Sequence, residues 1–190
     1  MKKSALAMAL LCMFASMACG MPCCSANRAL YRFTFVSPLA GDPFWMEVED
    51  GMKAANAQYD VSTMYIGPTF ISIDEHIKYI EIAIASNADG IITTAPDPEA
   101  FTPFINKAVA AGIPVVLLDA DAPDSNRNFY AGTSNYKGGV IHAAIVQNPF
   151  EMGRLGVELL YQIQEGMGPY EQIIDTGVTV VTANNVNNYK

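Results

Sequence analysis

A three-layer α/β/α sandwich on a mostly parallel sheet is the fold class this sequence predicts, and three observations predict it. Over residues 29–130 the chain repeats one unit: an apolar run, a polar turn, then an amphipathic stretch at helical spacing. Two of the apolar runs, residues 90–94 and 114–118, are continuous rather than alternating, as in strands covered on both faces. Four helical stretches open on explicit capping signals. The units stop after Gly139, where the chain passes to one more strand, one helix and a last strand, so a single lobe is expected.

The elements justify themselves in order. Residues 1–18 carry Lys2 and Lys3 and then an apolar stretch too short for a membrane span, which reads as a secretory signal. It ends Met17-Ala18-Cys19-Gly20, much as a lipoprotein signal does, with Ser16 where such signals usually carry Leu. Lipidation at Cys19 and plain secretion are both open. Residues 19–28 read as a tether. Cys12, Cys19, Cys23 and Cys24 all precede the fold, so they cannot staple it with a disulfide or build a metal site with ligands elsewhere in it. Residues 29–139 then form the lobe, with strands expected at 31–36, 61–66, 90–94, 114–118 and 128–131. Residues 140–190 complete it with a strand at 140–146, a helix, and a strand at 178–182 before an Asn-rich tail.

Asp42-Pro43, Asp97-Pro98 and Asn148-Pro149 each place a capping side chain before a proline at the first helical position, and Ser72 with Glu75 makes a capping box. Gly112 and Gly166 end two helices. The sheet-facing stripes are Phe101, Phe104, Ile105, Ala108 and Val109; Met152, Leu155, Gly156, Leu159, Leu160 and Ile163; and Ile73, Ile77, Ile80 and Ile84. His76 falls off the last stripe and is expected at the helix surface.

Chemistry in such a sheet sits beyond the carboxyl ends of the strands. Those positions hold Asp42, Phe44 and Trp45 after the first strand, Asp97 after the third, Asp119 and Asp121 after the fourth, and Gln147 with Asn148 after the late strand. Carboxylates and amides beside an aromatic pair suit a neutral polyol, whose hydroxyls need fixed acceptors and donors and whose C–H face packs on an aromatic ring. Capping alone also explains Asp42 and Asp97, and core packing also explains the aromatics. Asp119 is the sharper candidate, because a carboxylate directly after a buried strand is costly to desolvate unless something binds it. The net charge is −8 with no cluster of Lys or Arg, which argues against nucleic acid. No metal-ligand spacing, nucleophile elbow or phosphate loop is present, so neither an enzyme nor a cofactor is expected.

These residues resemble the periplasmic sugar-binding proteins of the ribose-binding type that serve ABC transporters. Residues 42–51 look like the first-helix motif of that family, 88–92 and 111–116 its third and fourth strand entries, 119–125 and 130–135 its crossover, and 143–149 with Gly153 and Gly156 its late strand and returning helix. The resemblance implies a lobe of the type I periplasmic binding fold, a monosaccharide (pentose or hexose) as ligand, an ABC permease as partner, and a place outside the cytoplasm with the membrane reached only through a lipid anchor. It implies that Phe44 and Trp45 sandwich a sugar ring while Asp42, Asp119, Asp121 and Gln147 bond its hydroxyls. Two departures stand out. Ala120 replaces the arginine of ribose binders, leaving the sugar open. The second lobe, on the order of 100 residues, is missing between Gly139 and Val140, so the strand at 140–146 must pair elsewhere or hang loose. Binding through one wall is expected to be weak. A non-binding interaction lobe and a deletion product without function are the alternatives; a sugar-responsive repressor is disfavoured by the signal segment standing where a DNA-binding unit would be.

Overall fold

The computed structural model describes residues 29–132, 144–167 and 172–181. The signal, tether and Cys19, the junction at Gly139–Val140 and the Asn-rich tail lie outside the described residues.

Alternating strands and helices follow the expected order. They are β1 (Arg32–Val36), α1 (Pro43–Tyr59), β2 (Ser62–Ile66), α2 (Ile73–Ala85), β3 (Gly90–Thr93), α3 (Pro98–Ala110), β4 (Val115–Leu118) and β5 (Phe129–Gly132). After residues 133–143 come β6 (Ala144–Gln147), α4 (Pro149–Gln164), β7 (Ile173–Asp175) and β8 (Val178–Val181). Six strands form one parallel sheet in the order β2-β1-β3-β4-β5-β7. The short β7 was not expected. β6 pairs antiparallel with β8 in a separate two-stranded ribbon, which answers where the late strand goes.

Side chains of a strand alternate between faces, and the core divides accordingly. Phe33, Phe35, Ile92, Val116, Leu118 and Phe129 pack with Trp45, Val48, Met52, Met152, Val157 and Leu160 of α1 and α4. Val36, Ile91, Val115 and Leu117 face the other way, onto Ile80, Ala83, Phe101, Ile105 and Ala108 of α2 and α3. The two clusters are the two interlayer spaces of the predicted sandwich.

Each helix start is capped as its sequence dictates. Asp42 accepts from the Phe44 amide at 2.9 Å, Ser72 from Glu75 at 3.3 Å, Asp97 from Ala100 at 3.2 Å and Asn148 from Glu151 at 3.1 Å. α1 and α4 touch through glycines: a Cβ on Gly153 would lie 1.8 Å from the Val48 carbonyl oxygen, and one on Gly51 1.9 Å from that of Phe150. This contact holds the two helices together over one face of the sheet.

His76 corrects the sequence expectation. It is 1% exposed, its Nε2 lies 2.9 Å from the Thr93 hydroxyl and 3.3 Å from the Val36 carbonyl, and its ring meets Phe101 edge-on. The buried residues of α2 are His76, Ile80 and Ala83, while Ile73 and Ile82 are exposed. Ile77, Ile80 and Ile84 of the expected stripe do pack against the core, Ile73 alone of the four is exposed, and His76 and Ala83 join the buried face. The imidazole is tolerated on this face because Thr93 and Val36 satisfy its Nε2.

Candidate functional site

β1 feeds α1 and then β2 on one side, whereas β3 lies on the other side of β1. The strand order thus reverses beside β1, and the crevice above the carboxyl ends of β1 and β3 is where a parallel open sheet takes its ligands. β4 lies one strand further. Two strand spacings separate β1 from β4, about 10 Å.

The first wall rises from β1. Ser37 is buried, its amide donating to Ile66 O at 2.8 Å and its hydroxyl to Leu39 O at 3.0 Å. The Ala40 amide donates to Pro68 O at 2.8 Å, and Asp42 then caps α1 with Oδ1. Phe44 is partly exposed at this rim. Trp45 is 8% exposed and belongs to the core, 5.9 Å from the Phe35 ring and 5.0 Å from Phe44 between centroids. The two aromatics of the expected sandwich therefore differ: Phe44 offers the accessible ring, and Trp45 supports it from beneath. Helical spacing carried this signal, since Trp45, Val48, Met52 and Ala55 form the buried stripe of α1 and Phe44 does not.

The opposite wall is built on Asp119. Its backbone is left-handed, with φ 62°, a conformation Asp tolerates better than most residues. Three bonds hold the turn: Tyr130 Oη donates to Asp119 O at 2.8 Å, the Ala120 amide to Leu118 O at 2.7 Å, and the same amide to Thr94 Oγ1 at 3.3 Å. The half-buried carboxylate accepts from Gln147 Nε2 at 2.9 Å. The structure thus brings Asp119 and Gln147, 28 residues apart, into direct contact. Burial first, then the Asp119 and Asp121 carboxylates, push the Tyr130 phenol up.

Asp121 has a different environment. Arg127, with a side chain 6% exposed, grips it through Nε and through Nη2 at 2.6 Å, and the Ala122 amide donates to the same carboxylate at 2.8 Å. The guanidinium also lies over the Tyr130 ring at 6.0 Å. Sequence reasoning did not single out Arg127 or Tyr130. An arginine two residues before an aromatic strand start carries no local pattern, and its role depends on the loop geometry.

A cavity of about 130 Å³ lies elsewhere, lined by Arg32, Phe33, Ser62, Asn87 and Ala88 at the amino ends of β1 and β2. Among the described residues no group of three or more His, Cys, Asp or Glu could hold a metal ion, and no helix is long and apolar enough to cross a membrane.

Comparisons with known proteins agree with this architecture. A family model described as periplasmic binding protein domain matches residues 33–143. The xylose/arabinose-binding protein XylF of Sulfolobus acidocaldarius is 23% identical over 128 residues, covering 62% of this chain and 32% of that protein. The ribose import binding protein RbsB of Bacillus subtilis is 22% identical over 166 residues, covering 84% of this chain and 54% of that protein. The chain spans about half, or less, of the length of these curated relatives. Among solved structures, GanP, a glucose-galactose binding protein from Geobacillus stearothermophilus, aligns with a TM-score of 0.76 at 21% identity over 82% of this chain and 98% of that one. A sugar-binding protein of a sugar ABC transporter from Bacillus halodurans aligns at 0.78 and 20% identity over 84% and 100%. These structural likenesses show the fold.

Proposed function

This chain belongs to the periplasmic binding protein domain family, and from that premise we propose that it is an extracytoplasmic carbohydrate-recognition lobe that takes a pentose or hexose. The observation that carries the reading is the Asp119–Gln147 pair, a half-buried carboxylate held in a left-handed turn at the carboxyl end of a central strand. An ionised carboxylate has about four acceptor positions, so the bond from Gln147 leaves capacity for sugar hydroxyls. Across the crevice, Phe44 supplies the ring face and Asp42 a second carboxylate. The names of the relatives, which specify ribose, xylose and arabinose, favour the same ligand class. In this reading the lobe serves an ABC permease and is tethered through a lipid on Cys19. Asp121, committed to Arg127, contributes by holding the loop.

Binding is weak in this proposal. Only residues 133–143 separate β5 from β6, so no second wall can close over the ligand between those strands. A ligand at about ten times its dissociation constant stabilises its protein by about 1.4 kcal/mol, which for a chain of this size raises the unfolding midpoint by about 3–6 °C. Thermal unfolding with D-ribose, D-xylose, L-arabinose, D-glucose and D-galactose at millimolar concentration tests the reading. A rise with at least one sugar, abolished in Asp119→Ala, is expected. No rise with any of them sinks it. In that case the alternative of a non-binding interaction lobe gains, a reading favoured by the burial of Trp45 and the engagement of Asp121.

A further inference from the structure

The two walls of the crevice are joined beneath it by polar side chains on β3 and α2. Thr93 and Thr94 are buried at 0% and 2% exposure, a costly place for hydroxyls unless both are bonded. Thr93 Oγ1 donates to Val36 O, the last carbonyl of β1, at 2.9 Å. With its proton used there, Thr93 Oγ1 accepts from His76 Nε2 at 2.9 Å. Thr94, on the next residue and therefore the other face of the sheet, accepts from the Ala120 amide at 3.3 Å. Successive threonines thus tie β3 to the strand end that leads to Asp42 and to the turn that presents Asp119.

We propose that His76, acting through Thr93 on the Val36 carbonyl, is a positioning residue that sets the carboxyl end of β1 and hence the loop carrying Asp42 and Phe44. The clasp lies directly under the crevice, at the point where strand order reverses. Val36 precedes the buried Ser37, and Phe35 before it packs on Trp45 across the sheet. Loss of the clasp therefore reaches both the loop and the single tryptophan on the opposite face. Its bearing on ligand affinity rests on the carbohydrate reading above; its bearing on the loop does not.

Hydrogen exchange of the full chain tests the clasp without any sugar. The amides of Ser37 and Ala40, which bond Ile66 O and Pro68 O, are the probes. In Thr93→Val and His76→Leu these amides exchange about tenfold faster than in the unaltered chain while core amides of β4 keep their protection. Trp45 emission shifts in the native state. Thr93→Ser and His76→Gln, which keep the hydroxyl or a donor, restore both. Exchange at Ser37 and Ala40 unchanged in Thr93→Val, or slowed no more by the conservative variants than by the apolar ones, overturns the proposal. If an apolar variant fails to fold, the comparison of Thr93→Ser with Thr93→Ala decides by the same readout. Faster exchange with no sugar bound by any form retains the clasp and discards the carbohydrate reading.

Discussion

Acid should destabilise this protein through His76 in an amount that can be worked out. Burial pushes the imidazole down from its ordinary 6.5 to about 4, the Val36 carbonyl opposing only in part. The folded value lies below the unfolded one, so between the two the unfolded chain binds more protons, and stability falls as pH falls through that window. The loss is about 1 kcal/mol at about pH 5.5 and grows to about 3 kcal/mol once both states are protonated. Against a total of about 5–15 kcal/mol for an ordinary domain, that is a large share for one side chain. Carboxylates titrate in the same range, so the measurement is differential. Urea unfolding of the unaltered chain and of His76→Gln is followed at about pH 7, 5.5 and 4.5. Gln keeps a donor for Thr93 and does not titrate, so the gap between the two stabilities narrows or inverts by the amounts above as pH falls. Parallel pH dependences in the two proteins would refute the reasoning, because they would mean that His76 is solvated or charged in the fold.

Three other perturbations follow from the packing and the site. Gly153→Ala forces a methyl against the Val48 carbonyl, a backbone atom that cannot turn aside; the helices must part, and the urea midpoint should drop by about 1–3 kcal/mol of stability with the m-value unchanged. Arg127→Met strands the Asp121 carboxylate in a half-buried loop at a cost of up to about 3 kcal/mol, whereas Arg127→Met with Asp121→Asn should recover much of it; equal losses in the two would contradict the pairing. Gln147→Ala removes the donor to Asp119 and should cost about 1 kcal/mol of stability, read as faster amide exchange in β6 before any change in β4.

The legible parts of this fold were those decided within a few residues. Asp42, Ser72, Asp97 and Asn148 announce helix starts because a side-chain oxygen and the nearby amides are local partners. The continuous apolar runs of β3 and β4 announce burial on both faces for the same reason. β7 was not legible: Ile173–Asp175 is three residues long and becomes a strand only because β5 offers an open edge. The stripe Ile77, Ile80 and Ile84 was legible, but His76 beside it was not, because the bonds that satisfy a buried imidazole come from Val36 and Thr93 on other elements. In the candidate site, Asp119 and Gln147 are each nominated by their positions at strand ends. Their contact joins residues 28 apart on elements that do not pair with each other, which no short-range pattern encodes.

That contact constrains what a single wall can do. A two-stranded ribbon is marginal by itself in water, and β6 is anchored at its base by the Gln147 bond to Asp119 and by the Asn148 cap of α4 immediately after it. A sugar that bonded Asp119 by displacing Gln147 would gain one hydrogen bond and forfeit another, for a net near zero. On the carbohydrate reading proposed above, favourable binding requires the ligand to use the remaining lone pairs of Asp119 while Gln147 stays in place, and to add the ring contact with Phe44. On that reading the ribbon would brace the carboxylate through Gln147 rather than close over it. On the same reading, specificity would come from the spacing of the two walls, which Thr93 at the end of β3 and Thr94 just after it tie together.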